Sequence, residues 1–468
     1  MQKNDERIGV VIAVGMNGEG IIKDEDTIIF VPFALPTEKI KYKVLKVTKK
    51  CAYGKLIEVI TPAEERVRPK CNVFGKCGGC QLQHIDYQYQ LKIKEKNIKT
   101  CLKKIANIDA EISSTVRGER EYNYRNKLQL PVANVDGKTI IGFYAENSHR
   151  VVEIQDCAIN GHYAKDIILA FKKYFADYNI NGYDEKTHTG EVREITVKEI
   201  NGKLIITVVT LSQKLPYEKG LLQILQEYVK CEFSLYHNVN SAVTNVIYGE
   251  QFRLIYGESE YSSEMLGIKY KIGVQSFMQV NTSVCEKLYS AVRNSLNIDE
   301  NTIVIDAYSG AGLMTALFAK KAKKVIGIEI NKEAVDIANQ LARENGLADR
   351  IINYCGKCED LLPKIIWEEK QKNNKVSVVL DPPRKGVDIK VIKSILESDI
   401  DRIVYVSCLP TSLARDVGLL IGTLEEVKGE IKRVENPKLR YNIEMIKPFD
   451  MFSQTKHVET LMVLSKIK

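Results

Sequence analysis

Thr302-Ile303-Val304-Ile305-Asp306-Ala307-Tyr308-Ser309-Gly310-Ala311-Gly312 decides the fold of the C-terminal half. A short apolar, β-branched run reads as a buried strand, and it ends in a glycine-rich turn that opens a helix. The glycines let a ligand approach the backbone at the helix N-terminus. Only G-x-G is present, without a third glycine, so the turn fits a nucleotide-like cofactor without completing a dinucleotide fingerprint. Outward from this strand the pattern repeats. Lys324-Val325-Ile326-Gly327-Ile328-Glu329 ends in an acid placed to meet ribose hydroxyls, roughly 20 residues past the glycines. Ile351-Ile352-Asn353-Tyr354-Cys355 reads as a third strand. A fourth, Val376 to Leu380, enters the rigid turn Asp381-Pro382-Pro383-Arg384-Lys385-Gly386. From about residue 270 onward, strands alternating with helices predict a parallel, doubly wound α/β sheet.

The fifth strand, Arg402-Ile403-Val404-Tyr405-Val406, delivers Ser407-Cys408 and then breaks at Leu409-Pro410. Open α/β sheets place reactive groups at these carboxyl ends. A lone buried cysteine is usually just a small hydrophobe, but its place at a strand end beside a cofactor turn marks Cys408 as a nucleophile. Cys355-Gly356-Lys357-Cys358 lacks a second thiol pair or a nearby histidine, and it reads as small residues beside a cofactor.

At 468 residues, with 44% hydrophobic and 27% charged residues, the chain has room for two to four domains. No apolar run approaches the roughly 18 residues of a membrane span. The polar start, Met1 to Arg7, carries no leader-like stretch, so a cytoplasmic location is expected. The net charge of +8 is concentrated: Lys39 to Lys50 holds six lysines and no acid, and Lys92 to Lys104 holds six against one glutamate. Such patches neutralise phosphates. A solvated lysine face is the bland alternative for each.

Residues 1 to about 60 show short strands at Ile8–Val14, Thr27–Pro32, Tyr42–Val47 and Gly54–Ile60, punctuated by Gly15, Gly18 and Gly20. They predict a small OB-like barrel. The stretch resembles the TRAM module of RNA-modifying enzymes, with Pro36-Thr37-Glu38 where that module carries Pro-Gly-Glu. Cys71, Cys77 and Cys80 then follow at C-x5-C-x2-C spacing, with Gly75, Gly78 and Gly79 freeing the backbone. Eleven cysteines without an export signal point to metal or catalytic use. A closed thiolate site needs a fourth ligand, and Cys157 after Ile154-Gln155-Asp156 is the candidate. Spacing leaves zinc and an iron–sulfur cluster both open. Cys101, in a lysine-rich helical stretch, reads as structural. Between Glu119 and Glu260 mixed strands and helices, among them Tyr163–Tyr174, predict an α+β region. The expected division is a barrel over 1–62, a central α+β domain with the four-cysteine site over 63–265, and a Rossmann-like α/β catalytic domain over 266–468.

Four further stretches complete a specific pattern: Ser276-Phe277-Met278-Gln279-Val280-Asn281, Asp381 to Gly386, Ser407-Cys408-Leu409-Pro410-Thr411-Ser412-Leu413-Ala414-Arg415-Asp416, and Asp450-Met451-Phe452-Ser453-Gln454-Thr455-Lys456-His457-Val458-Glu459. With Asp306 to Gly312, they resemble the RNA uracil-5-methyltransferase family across most of the chain. Ser453 and Leu409 depart from the family's usual Pro and Asn, and neither change removes a chemical group with a role.

The resemblance implies methyl transfer from S-adenosylmethionine to carbon 5 of a uridine. Cys408 would add to carbon 6 and Glu459 would remove the carbon 5 proton. Gln279, Tyr308, Glu329 and Asp381 would contact the donor. Cys71, Cys77, Cys80 and Cys157 match the 4Fe–4S ligands of the ribosomal-RNA members, with a structural or RNA-shaping role rather than a redox one. Barrel plus cluster point to 23S rRNA as the substrate. The T-loop uridine of tRNA is the alternative, and a non-catalytic RNA-binding protein with a vestigial fold is a third reading. A monomer with RNA as its partner is expected. Arg384 stands where amino-methyltransferases carry an aromatic residue, which disfavours an exocyclic-amine target.

Overall fold

The computed structural model describes residues 1–372, 374–398 and 400–467. Five strands, β1 (Glu6–Val14), β2 (Gly20–Asp24), β3 (Thr27–Val31), β4 (Lys39–Val47) and β5 (Ala52–Thr61), close into a barrel in the order β1-β2-β3-β5-β4. Strand β2 begins at Gly20, the last glycine of the turn read from the sequence, and its 5 residues carry too little periodicity to be read as a strand. Gly20 earns its place by close approach, since a Cβ there would stand 2.7 Å from the Ala34 carbonyl oxygen. Val11, Ile29, Val31, Ile40, Tyr42 and Val44 fill the barrel.

A loop carrying Cys71, Cys77 and Cys80 leads to α1 (Tyr87–Ala106), capped by the Asp86 side chain on the amides of Gln88 and Tyr89. Strands β6 (Lys127–Val135), β7 (Lys138–Tyr144) and β8 (Val151–Glu153) follow, then α2 (Tyr163–Tyr178), β9 (Val192–Ile200), β10 (Lys203–Thr210), α3 (Glu218–Tyr228), β11 (Phe233–Val239) and β12 (Gln251–Tyr256). These strands make one seven-stranded sheet in the order β12-β11-β10-β9-β6-β7-β8, parallel only between β10 and β11. Helices α2 and α3 cover one face around Phe171, Tyr174 and Leu221. The expected α+β region is therefore a single mixed sheet.

A hairpin, β13 (Glu260–Met265) with β14 (Ile268–Gly273), and α4 (Thr282–Ser295) lead into the C-terminal fold. It contains β15 (Thr302–Ala307), α5 (Leu313–Ala319), β16 (Lys324–Glu329), α6 (Lys332–Glu344), β17 (Ile351–Cys355), α7 (Cys358–Gln371), β18 (Lys375–Leu380), α8 (Ile389–Glu397), β19 (Arg402–Ser407) and α9 (Pro410–Ile421). A second hairpin, β20 (Leu424–Val427) with β21 (Glu430–Arg433), precedes β22 (Tyr441–Phe449) and β23 (Glu459–Lys466). The sheet order is β17-β16-β15-β18-β19-β23-β22. The first five strands are parallel, as expected; β15, β16, β18 and β19 are buried on both faces, which is why they read as apolar runs, whereas the edge strand β17 is largely exposed. The last two are antiparallel, a feature that apolar runs cannot reveal.

Helix α1 packs against α9, and its Ile98, Cys101, Leu102 and Ala106 join the core beneath this C-terminal sheet. The stretch after the cysteines is thus built into the catalytic fold. Among the described residues, no helix is long and apolar enough to cross a membrane.

Candidate active site

Strand register assembles the site. Ser407 of β19 pairs with Thr460 of β23, so the next step along each strand sets Cys408 against Glu459. Tyr308, Asp381 and Cys408 each follow the last residue of a parallel strand, β15, β18 and β19. Together with Gln279, Gly310, Gly312, Arg384 and Glu459 they line one cavity of about 600 Å³. That volume suits a cofactor plus part of a second substrate.

The donor end is set by the turn after β15. Tyr308 (φ 66°), Gly310 (φ 55°) and Gly312 (φ 82°) all hold left-handed backbone. For tyrosine that conformation is costly and marks a functional turn. Gly312 is packed tightly, since a Cβ there would lie 2.7 Å from Ala338 Cβ, whereas Gly310 has no heavy atom within 4 Å of the corresponding position. The Glu329 carboxylate accepts from the Gly310 amide at 3.1 Å and from the Asn331 amide at 2.8 Å. It therefore holds the turn itself, and a ribose would share it with two backbone donors. Asp306 is buried; it accepts from the Thr315 hydroxyl at 2.6 Å, and its other oxygen has no partner among the described residues.

Charge in the cavity is crowded. Burial raises the Glu459 carboxyl to about 8, helped by Asp381 and opposed by Arg384. Burial likewise lifts Asp381 to about 7, with Asp306 adding to it. A cationic donor group would relieve this crowding, so the lining fits a sulfonium. The Cys408 thiol is held above its ordinary value. Burial and the Glu459 charge push its thiol up, while the Arg384 guanidinium hydrogen-bonds to it and pulls it down. The positive N-terminal end of α9, which begins two residues after Cys408, acts in the same direction as Arg384. Arg384 is thus the counter-charge shared by both expected catalytic groups. Sequence reasoning weighed it only as a missing aromatic residue.

Phe277, 77% exposed, stands at the cavity rim and was carried in the sequence only as part of a motif. His457 is half-buried beside Phe452, with ring centroids 5.9 Å apart, and is lowered to about 4 by burial and by Arg384. Read from the sequence as a packing residue, it also lines the cavity.

Cys71, Cys77, Cys80 and Cys157 all line a second cavity of about 310 Å³. The Gly79 amide donates to Cys77 Sγ at 3.3 Å, and the Asn160 amide group to Cys157 Sγ at 3.1 Å. Burial raises Cys77 to about 11 and Cys80 to about 12. Among the described residues, no group of three or more His, Cys, Asp or Glu is gathered closely enough to hold a single metal ion. Arg384, Phe452 and His457 line both cavities and so form the wall between them. Cys101 sits in the α1 core and touches Met16 of the barrel, a packing role.

A Rossmann-like sheet with a glycine turn, and a thiol facing a buried carboxyl, define a group-transfer enzyme of the methyltransferase class. Comparison with known proteins agrees. Residues 86–467 match the family described as tRNA (Uracil-5-)-methyltransferase, and the chain belongs to that family. It is 36% identical over 99% of its length to an uncharacterized RNA methyltransferase of Clostridium tetani, covering 97% of that protein. Another from Clostridium acetobutylicum is 36% identical over 100% of this chain and 98% of its own. The crystal structure of Pyrococcus abyssi tRNA (uracil-54, C5)-methyltransferase with S-adenosyl-L-homocysteine superposes with a TM-score of 0.75 at 24% identity. It covers 98% of this chain and 100% of that one, and the likeness shows a shared fold.

Proposed function

We propose that the protein methylates carbon 5 of a uridine in 23S rRNA, using S-adenosylmethionine and a covalent adduct on Cys408. The observation that carries this reading is the register that sets Cys408 against Glu459 at the end of a cavity whose other end is a glycine turn. S-adenosylmethionine supplies an electrophilic methyl group. Gln279, Tyr308, Asp381 and the Gly310–Gly312 backbone would hold it, with Glu329 reached through the turn. Cys408 Sγ forms a bond to carbon 6 of uracil, and the electron pair moves onto the ring so that carbon 5 becomes the nucleophile. Arg384 stabilises the thiolate that this step needs. After transfer, Glu459 takes the carbon 5 proton, the C5–C6 double bond re-forms and the C6–S bond breaks. A raised carboxyl is a stronger base once ionised. The target base must leave any stack to reach Cys408.

The four cysteines are proposed to hold a 4Fe–4S cluster. Four thiols around one cavity are the donor set of such a cluster, and the N–H donors to two sulfurs suit thiolates; a zinc ion is the alternative. Absorbance of anaerobically purified protein, compared with Cys157→Ser, tests this.

The T-loop uridine of tRNA is the second reading. The neighbour described as a tRNA (uracil-54, C5)-methyltransferase covers 98% of this chain, so the shared fold does not by itself select rRNA. The deciding experiment incubates the protein and S-adenosylmethionine with 5-fluorouridine-substituted 23S rRNA fragments or tRNA, beside Cys408→Ala. An adduct on rRNA that is absent in the variant supports the proposal. An adduct on tRNA alone changes the substrate, and none on either supports the RNA-binding alternative.

A further inference from the structure

The residues between β22 and β23, Asp450–Val458, form a strap across the wall that the two cavities share, and the strap ends at Glu459. Almost every grip on it comes from the segment after Cys80. The Gln454 carbonyl accepts from the Gln81 amide at 3.2 Å and the Leu82 amide at 3.0 Å. Gln90 clasps Gln454 twice: its Nε2 donates to Gln454 Oε1 at 3.0 Å, and its Oε1 accepts from the Gln454 amide at 3.2 Å. The ammonium of Lys94 pairs with Asp450, both fully buried, and donates to the Phe452 carbonyl at 3.2 Å. Tyr87 donates to Asp450 Oδ2 at 2.7 Å, and Tyr124 to the Ser453 carbonyl at 2.9 Å.

This many buried polar bonds on nine residues exceeds what a connecting loop needs. Burying an ion pair to hold a loop gains little stability over apolar packing. It does fix geometry, because each polar group is satisfied in only one arrangement. Gln454 is itself held at φ 69°. The strap's far end is the residue whose carboxyl must meet one proton on one face of the uracil ring.

We infer that Gln90, Lys94 and Tyr124 are positioning residues, through which helix α1 and the stretch leading into β6 set Glu459 against the Cys408 adduct. The inference rests on the proposed role of Glu459. In that role, proton removal from carbon 5 comes last, coupled to re-formation of the C5–C6 bond and departure of the Cys408 thiolate. A displaced base slows this step alone. Addition and methyl transfer, which use Cys408 and the donor pocket, proceed.

The test uses full-length protein, S-adenosylmethionine and ordinary uridine RNA of the kind that traps the wild type in its 5-fluorouridine form. Gln90→Ala and Tyr124→Phe release the strap through different bonds, and Glu459→Gln is the reference. A displacement of about 1 Å costs on the order of 10²-fold in rate. The expected result is a 10- to 100-fold fall in kcat for at least one strap variant, an RNA KM changed less than about 2-fold, and a methylated covalent adduct building up on denaturing gels as it does in Glu459→Gln. If Glu459→Gln accumulates adduct but neither strap variant does, the positioning role is wrong. The same holds if the strap variants instead raise KM and lose adduct, which would make the strap an RNA-binding or purely structural element. If Glu459→Gln itself fails to accumulate adduct, the base assignment falls and takes this inference with it.

Discussion

The Val387 amide donates to Asp416 Oδ2 at 2.8 Å, and that bond fastens the loop carrying Asp381 and Arg384 to the helix that follows Cys408. Tyr405 of β19 donates to the same oxygen at 2.6 Å, and Arg415 reaches from Asp416 to the Lys385 carbonyl at 2.9 Å. The Arg-Asp pair that closes the Ser407–Asp416 motif therefore works at one remove from the chemistry, setting the spacing between the thiol and its counter-charge.

Asp416→Ala leaves the buried Tyr405 hydroxyl and Val387 amide, and the half-buried Arg415 guanidinium, without their acceptor. Leaving a buried donor unsatisfied costs about 1–3 kcal/mol. Urea unfolding should show a loss of that size. A loss within the ordinary range of surface substitutions, about 0.5 kcal/mol, would mean that the clamp contributes nothing.

The two glycines of the donor turn should separate by mechanism. Gly312→Ala places a Cβ 2.7 Å from Ala338 in left-handed backbone, so α5 and α6 must move apart. It should lower stability by about 1–3 kcal/mol and weaken S-adenosylhomocysteine binding. Gly310→Ala meets no neighbouring atom, so its stability cost is the smaller left-handed penalty of about 1–2 kcal/mol. Thermal unfolding with and without S-adenosylhomocysteine reads both. Equal losses in the two variants would contradict the packing argument.

What the sequence could reveal follows from which interactions are local. The central parallel strands β15, β16, β18 and β19 were legible because burial on both faces writes Val and Ile runs into the chain. Cys408 and Asp381 were legible because a strand end followed by Pro marks itself. The antiparallel β22 and β23, and hence the pairing that sets Cys408 against Glu459, are a matter of register between segments 50 residues apart, which no local pattern encodes; Glu459 came only through family resemblance. Arg384 as a shared counter-charge and the Lys94–Asp450 pair lie in the same category. Lys94 sits in a lysine-rich helix whose other members are solvated, and nothing in its neighbours distinguishes it.

That buried pair gives a sharp prediction. Lys94→Met leaves the Asp450 carboxylate buried with Tyr87 and Ser453 as donors but no cation. The expected loss is about 3–5 kcal/mol in urea unfolding. Lys94→Met/Asp450→Leu removes both charges and should regain most of it, because an apolar pair of similar volume often matches a buried ion pair. A double variant no more stable than the single would show that the pair is needed for more than mutual neutralisation.

Glu459 couples activity and stability to pH in opposite senses. In its proposed role as base it works ionised, so the elimination rate should rise with pH and level off above about 8, where its buried carboxyl titrates. In the unfolded chain the same group ionises at its ordinary value of 4.5. Its folded value is raised, so its contribution to stability is full below 4.5 and is lost as pH rises through about 8. Glu459→Gln is neutral at every pH. The variant should therefore match the wild type in melting temperature near pH 4.5, exceed it above pH 8, and be defective in releasing the RNA adduct throughout. A melting-temperature difference that stays constant between those two pH values would show that the carboxyl is not held in the buried, proton-retaining state that burial and Asp381 impose.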